Sequence, residues 1–237
     1  MEKIYDPKYV EELFNNMSSS YSLMNVITSF GFSERWRRKF INEIEIGEES
    51  TVIDLMTGMG ECWKYILSKE KRVKKLIALD ISSEMIKRAE KNRRKYEGYD
   101  IEIRKENVFD NGIEDEEADY VVSGFGMKTF NEEQLKKLAK EIDRLLIPGG
   151  KFSLIDVSEP RMRVLKIFYM FYLNKVIPIL GELFLKNPES YKMLGEYTNR
   201  FKNSRGVLEI FKDHGFEVEY VEYLYGCASG IKGRKKQ

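Results

Sequence analysis

The chain predicts an α/β fold built on a seven-stranded, mostly parallel sheet that ends in an antiparallel strand. Three observations predict it. Strand-like and helix-like patterns alternate from Thr51 to Val157, the signature of parallel strands with helices covering both faces. Glycines follow the first strand at Asp54–Gly60, where the chain must turn tightly into the next element. After Gly215, two short alternating segments read as a terminal antiparallel pair.

Taken in order, the first 50 residues predict helices over Tyr5 to Asn16, Tyr21 to Phe30 and Ser33 to Ile44, with Ser33 as the N-cap of the third. Strands follow at Thr51 to Leu55, Lys75 to Asp80, Ile101 to Glu106, Tyr120 to Ser123 and Lys151 to Val157. Between them, Ser82 to Arg94 places Met85, Ile86 and Ala89 on one helical face. Glu132 to Leu146 does the same with Leu135, Leu138, Ala139, Ile142 and Leu145. Pro148-Gly149-Gly150 predicts a turn before the fifth strand, because proline cannot continue a helix and glycine accepts tight backbone angles. From Arg161 to Arg200 the alternation gives way to a mostly helical insertion. A last helix, Arg205 to His214, is closed by Gly215 as a left-handed cap, and the terminal pair begins with Phe216 to Tyr225.

The 237 residues, 42% of them hydrophobic, can bury one substantial core. Lys and Arg number 40 against 39 Asp and Glu, and this balance argues against a dedicated nucleic-acid binder. Cys62 and Cys227 have no second Cys or His at metal-ligand spacing, so neither a metal site nor a disulfide framework is expected. The charged stretch Met1 to Tyr9 lacks the apolar run of an export signal, so a cytoplasmic location is expected. His214, the one histidine, stands at a helix C-terminus, where a contact with the helix dipole is its expected role.

The segment Val52 to Glu61 contains Asp54-x-x-x-Gly58-x-Gly60 between a strand and a helix. Glycines there let a ligand approach the backbone without a Cβ in the way, and the following helix offers N–H groups to anionic oxygens. Asp80 ends the next strand, where a carboxylate accepts hydrogen bonds from ribose hydroxyls. The third glycine of the dinucleotide fingerprint is missing, since Trp63 stands three residues after Gly60. Asp54 suits a cationic amino-acid ligand and would repel a phosphate, which favours S-adenosylmethionine (SAM) over NAD. Asn107-Val108 and Gly124-Phe125-Gly126 fall at the same carboxyl edge of the sheet, the former able to read an adenine edge. Structural roles stay open for three of these: Asp54 capping its turn, Asp80 capping the helix near Ser82, and Asn107 closing an Asx-turn.

The stretch Phe14 to Asn25, Ser29-Phe30-Gly31, Trp36-Arg37, Phe125-Gly126-Met127-Lys128, Leu146-x-Pro148-Gly149-Gly150, Asp156-x-Ser158-x-Pro160 and Pro188-x-Ser190-Tyr191-x-x-Leu194 join the glycine motif in one pattern. Together they resemble the ubiquinone/menaquinone biosynthesis C-methyltransferase family along nearly the whole chain. The resemblance implies a Rossmann-like SAM methyltransferase fold, with SAM as cofactor and contacts at Tyr21, Thr57, Gly58, Met59, Gly60, Asp80, Asn107, Val108 and Gly124; Asp54, Met56, Ile81, Met85 and Phe125, beside them along the sheet edge, complete the expected cofactor site. It implies a single domain divided into a helical N-terminal lid (1–50), a cofactor-binding core (51–157), a helical insertion on the acceptor side (160–203) and the last helix and strands (204–237). The chain departs from the family at Phe125-Gly126-Met127-Lys128-Thr129, where Phe-Gly-Leu-Arg-Asn is usual, and Ile231 stands where the family has a histidine.

A quinol becomes a carbon nucleophile when its phenol loses a proton, so Lys128 is the candidate to stabilise the phenolate, and Asp156 is the alternative base. The expected acceptor is a prenylated, demethylmenaquinol-like quinol or related lipid. The alternatives are another small-molecule or phospholipid acceptor, or a nucleotide-binding module without chemistry. The apolar, aromatic run Val164 to Leu180 is interrupted by Lys166, Asn174, Lys175 and Pro178, too broken for a membrane span. With Arg161 and Arg163 ahead of it, 161–180 is expected to touch a membrane surface peripherally or line an entrance for a lipid substrate, or else to pack on the sheet or on a second copy in a homodimer.

Overall fold

Continuous apolar runs set the sheet: β1 (Thr51–Leu55) and β2 (Lys75–Asp80) are buried at every position after the first, as strands covered on both faces must be. The computed structural model describes residues 2–18, 29, 31–68, 73–184 and 188–237. The remaining strands are β3 (Ile101–Lys105), β4 (Ala118–Gly124), β5 (Leu146–Val157), β6 (Glu217–Tyr223) and β7 (Ala228–Arg234), in the order β3-β2-β1-β4-β5-β7-β6. The first five run parallel, and β7 enters antiparallel between β5 and β6. Strand order reverses between β1 and β4, which opens a crevice at their carboxyl ends.

The helices are α1 (Pro7–Met17), α2 (Phe32–Asn42), α3 (Trp63–Ile66), α4 (Ser83–Arg93), α5 (Glu132–Leu145), α6 (Arg163–Phe171), α7 (Ile177–Phe184), α8 (Pro188–Phe201) and α9 (Arg205–Asp213). Asn131 and Gln134 form a capping box at the start of α5, and the apolar stripe read from the sequence is its buried face. That stripe packs with Val207, Phe211 and Phe216 on one side of the sheet, while Trp36, Phe40 and Trp63 cover the other. A third cluster joins Leu13 and Met17 of α1 to Met170, Leu173, Ile177 and Tyr197 of the insertion. A wide π turn, Tyr172–Val176, links α6 to α7. Pro178 follows and cannot donate the hydrogen bond that a regular helix needs there.

Two expectations are corrected. Ser33 does not cap α2: Gly31 (φ 76°) holds the cap position, and the hydroxyl of Ser29 accepts from the Ser33 amide at 3.1 Å. Pro148-Gly149-Gly150 lies inside β5 rather than before it. The pairing passes from Ala118–Leu146 to Tyr120–Lys151, so β5 advances five steps against two on β4, and the excess bulges out. Lys235 stitches the bulge down, its carbonyl accepting from the Gly149 amide and its amide donating to the Gly150 carbonyl.

The N-terminal segment is fastened across the crevice. Asn15 Oδ1 accepts from Ser82 Oγ (2.7 Å) and the Glu84 amide (3.1 Å), and Gln134 Nε2 donates to the Tyr5 carbonyl (3.0 Å). These contacts bring α1 over the carboxyl edge of β1, β2 and β4. The predicted helix Tyr21 to Phe30 lies outside the described residues except for Ser29.

Candidate active site

Two adjoining cavities occupy the crevice. The first, about 900 Å³, lies between the ends of β1, β2, β3 and β4 and the underside of α1. Of the residues expected at the cofactor, Asp54, Met56, Thr57, Gly58, Asp80, Ile81, Met85, Asn107, Val108, Gly124 and Phe125 line it. Met59 and Gly60 do not: the Met59 amide turns to Glu61 Oε2 (2.9 Å), and a Cβ on Gly60 (φ 81°) would strike the Trp63 ring at 2.6 Å. Gly60 is thus required for packing beneath the turn rather than for approach of a ligand. Tyr21 lies outside the described residues.

The turn is held from below. Thr57 Oγ1 donates to Asp54 Oδ2 (2.5 Å) and accepts from Trp63 Nε1 (2.9 Å). Asp54 therefore fills the turn-capping role with one oxygen, while Oδ1, fully buried, has no hydrogen-bond partner among the described residues. Burial lifts the Asp54 carboxyl to about 7; the Thr57 hydroxyl opposes the rise and the Glu61 charge adds to it. Asp80 accepts from the Gly58 amide and the Ser82 amide, both at 2.8 Å. Burial lifts it to about 6 against those two amides. Asn107 closes an Asx-turn on the Phe109 amide (3.0 Å) through Oδ1. The helix after the turn, α3, has only four residues, so the expected supply of helical N–H groups is absent there.

At the crevice, the residues directly after β1 and β4 adopt left-handed backbone angles though neither is glycine: Met56 (φ 56°) and Phe125 (φ 71°). Gly126 makes room for the Met56 side chain, since a Cβ there would meet Met56 Sδ at 2.4 Å. Phe125 in turn lies beneath the guanidinium of Arg37, 5.0 Å from its ring centre. Arg37 is buried in α2, bonded to Glu34 Oε1 (2.9 Å) and 3.7 Å from Glu61 Oε1. Neither Arg37 nor Glu61 was singled out as a site residue from the sequence. They stand 24 positions apart in a chain rich in both types, and only the packing of α2 on the glycine turn brings them together.

The second cavity, about 1430 Å³, is enclosed by α1, α2 and the insertion, with Leu13, Trp36, Leu165, Tyr169, Tyr172 and Leu173 in its wall. Phe14, Phe125 and Thr129 line both cavities. Lys128, the one charged lining residue among those described, stands at this junction. Its Nζ donates to Asp156 Oδ1 (2.8 Å) and to the Phe125 carbonyl (2.7 Å), while its amide donates to Asp156 Oδ2 (2.8 Å). The two candidates offered as alternatives are thus one buried ion pair, and Asp156, wholly buried behind Lys128, is absent from the described residues that line either cavity.

The first cavity fits SAM on its own chemistry. It carries carboxylates at Asp54, Glu61, Asp80 and Glu106, suiting an ammonium, a sulfonium and ribose hydroxyls, and the orphaned Oδ1 of Asp54 is a ready acceptor for the ammonium. Comparisons with known proteins agree. A solved SAM-dependent methyltransferase from Aquifex aeolicus shares the fold (TM-score 0.57, 20% identity, 84% of this chain and 88% of that one). So does phosphoethanolamine N-methyltransferase 2 of Haemonchus contortus, solved with phosphomonomethylethanolamine and S-adenosylhomocysteine (TM-score 0.57, 14% identity, 86% and 53%). Demethylmenaquinone methyltransferases of Oceanobacillus iheyensis (30% identity, 95% of this chain and 94% of theirs) and Lactiplantibacillus plantarum (29%, 96% and 96%) are relatives over almost their full length. The model of the ubiE/COQ5 methyltransferase family matches residues 1–235. With that match laid over the acid-lined crevice, the chain belongs to the ubiE/COQ5 methyltransferase family and is a SAM-dependent methyltransferase.

Proposed function

We propose that the chain methylates a ring carbon of a prenylated quinol of the demethylmenaquinol type. One observation carries the proposal: an apolar chamber adjoins the SAM cavity, and its single charge among the described residues, Lys128, stands where the two meet. A flat quinol with a greasy tail fits such a chamber, with its polar edge at the ammonium and its tail among the tyrosines and leucines of the insertion. The names of the relatives point the same way.

SAM, when bound, supplies an electrophilic methyl group on a sulfonium. The residues of the chain have to aim and charge the acceptor. Lysine carries three donors, and Nζ commits two of them to Asp156 and the Phe125 carbonyl. The third serves the phenolate oxygen, stabilising the anion left when the phenol proton passes to solvent and so making the neighbouring ring carbon nucleophilic; once methylated, that carbon regains aromaticity by giving its own proton to water. Asp156 is a positioning residue, fixing Lys128 through both its side chain and its backbone. Asp54, the Thr57–Gly58 turn, Asp80, Asn107 and Val108 hold SAM in this reading, under a lid of residues 1–50 and opposite an insertion of residues 160–203 on the acceptor side.

The same reading places 161–180 against the cytoplasmic face of a membrane. Among the described residues, the large apolar side chains left exposed are Met162, Val164, Ile167, Phe168, Phe171 and Ile179 of the insertion, with Leu224 and Tyr225. The two groups meet, since the Arg161 amide donates to the Tyr225 carbonyl, and Phe168 and Leu224 also line the acceptor chamber. No helix of the described residues is long and apolar enough to cross a membrane, so contact would be peripheral.

The test is transfer of labelled methyl from SAM to a demethylated prenylated naphthoquinol presented in anionic vesicles under reducing conditions. Label on the quinol ring carbon is the expected product. Label on a phospholipid amine, with none on the quinol, would refute the proposal.

A further inference from the structure

Among the described residues, one cation lines the acid-rich cofactor cavity, and its position assigns it a task. Among the described residues lining that cavity, Asp54, Glu61, Asp80 and Glu106 are acidic and Arg37 alone is basic. SAM is not a simple cation: its methionyl end carries an ammonium and a carboxylate together. Four carboxylates and no guanidinium would repel that carboxylate at close range in a medium that screens poorly.

Arg37 is placed to meet it. Its side chain is 4% exposed, and Glu34 and the Phe125 ring brace it from two directions. Glu61 Oε1 comes within 3.7 Å of Nη2, too far for a hydrogen bond, and is itself a buried oxygen with no hydrogen-bond partner among the described residues. Asp54 lines the same cavity, and its buried carboxyl feels the charge of Glu61, the residue beside Arg37. One guanidinium, one orphaned Asp54 oxygen and one orphaned Glu61 oxygen thus make a charge pattern complementary to an α-amino acid.

We propose that Arg37 binds the methionyl carboxylate of SAM, with Asp54 taking the ammonium, so that helix α2 and not the helix after the glycine turn reads the amino-acid end. α3 is too short for that duty, and the Gly58 and Met59 amides are already engaged by Asp80 and Glu61. The guanidinium's planar donor fork suits a carboxylate better than an ammonium point charge would.

The test compares SAM with decarboxylated S-adenosylmethionine, which keeps the sulfonium and amine and lacks the carboxylate, by calorimetric titration of the full chain. Arg37→Met is expected to weaken SAM roughly ten- to a hundredfold. It should leave decarboxylated SAM unchanged or bind it more tightly, because a cation facing a doubly cationic ligand has been removed. Arg37→Lys, which keeps the charge without the fork, should fall between wild type and Arg37→Met for SAM, and it carries the comparison if Arg37→Met does not fold. Equal losses for both ligands would show that Arg37 only supports the cavity wall, and unchanged SAM affinity would place the carboxylate elsewhere; either overturns the proposal. Failure of the wild-type chain to bind SAM at all would overturn the cofactor assignment along with it.

Discussion

Asp54→Asn is expected to make the ligand-free protein more stable at neutral pH while weakening its hold on SAM. Burial raises the Asp54 carboxyl from 3.8 to about 7, with the Glu61 charge adding and the Thr57 hydroxyl opposing. A carboxyl raised in the folded state keeps its proton there after the unfolded chain has released it. Its contribution to stability is therefore complete below pH 3.8 and disappears as pH rises through about 7. At 1.36 kcal/mol per pH unit, the interval amounts to about 4 kcal/mol by pH 8. For a chain of this length, that corresponds to about 8–16 °C in melting temperature. Asparagine does not ionise and can keep the Thr57 bond, so the variant and the wild type should melt together near pH 4 and diverge steadily to pH 8, the variant being the more stable. SAM should reverse the order, since the variant loses about 1.5–3 kcal/mol of charged hydrogen bonding to the ammonium. Scanning calorimetry of both proteins from pH 4 to 8, with and without SAM, reads all of this. A constant offset at every pH, or a variant no more stable at pH 8, would refute a buried ionised carboxylate awaiting a cation.

Lys128→Met should lower kcat far more than SAM affinity, and leaving Asp156 buried without its cation should destabilise the fold by about 3–5 kcal/mol in urea melts. Adding Asp156→Asn should restore part of that stability without restoring turnover, and a larger change in SAM Kd than in kcat would move Lys128 to the cofactor side. Asp80→Ala should weaken SAM by about 1–3 kcal/mol in titration calorimetry, through lost ribose bonding and a loosened Gly58 amide; unchanged affinity in a folded variant would place the ribose elsewhere. Ile167→Glu combined with Phe168→Glu should reduce co-sedimentation with anionic vesicles while leaving SAM binding intact, and undiminished sedimentation would remove 161–180 from the membrane contact.

Strands were the most legible elements, β1 and β2 as short apolar runs and β3 as an alternation of Ile101 and Ile103 with charged residues: all three fall within a residue of their expected bounds. The start of β5 was not legible. A proline and two glycines read locally as a turn, yet the Lys235 backbone bonds and the slipped register with β4 keep them in the strand. The cap of α2 was missed for a similar reason: a serine four residues upstream supplies the hydroxyl that the local pattern assigned to Ser33.

At the site, the sequence by itself determined the crevice. The strand, turn and acid pattern from Asp54 to Asp80 depends on neighbours within one βα unit, and local chemistry writes such units into contiguous residues. It also located Lys128 and Asp156, though as rivals. That they form one buried pair, that Arg37 stands over Phe125 as the lone cation among the described residues of an acidic cavity, and that the insertion walls an apolar chamber beside it were decided by tertiary structure alone. Charges, rings and cavity walls drawn from distant segments interact only once the packing of helices on the sheet fixes their separation, and no spacing along the chain encodes that distance.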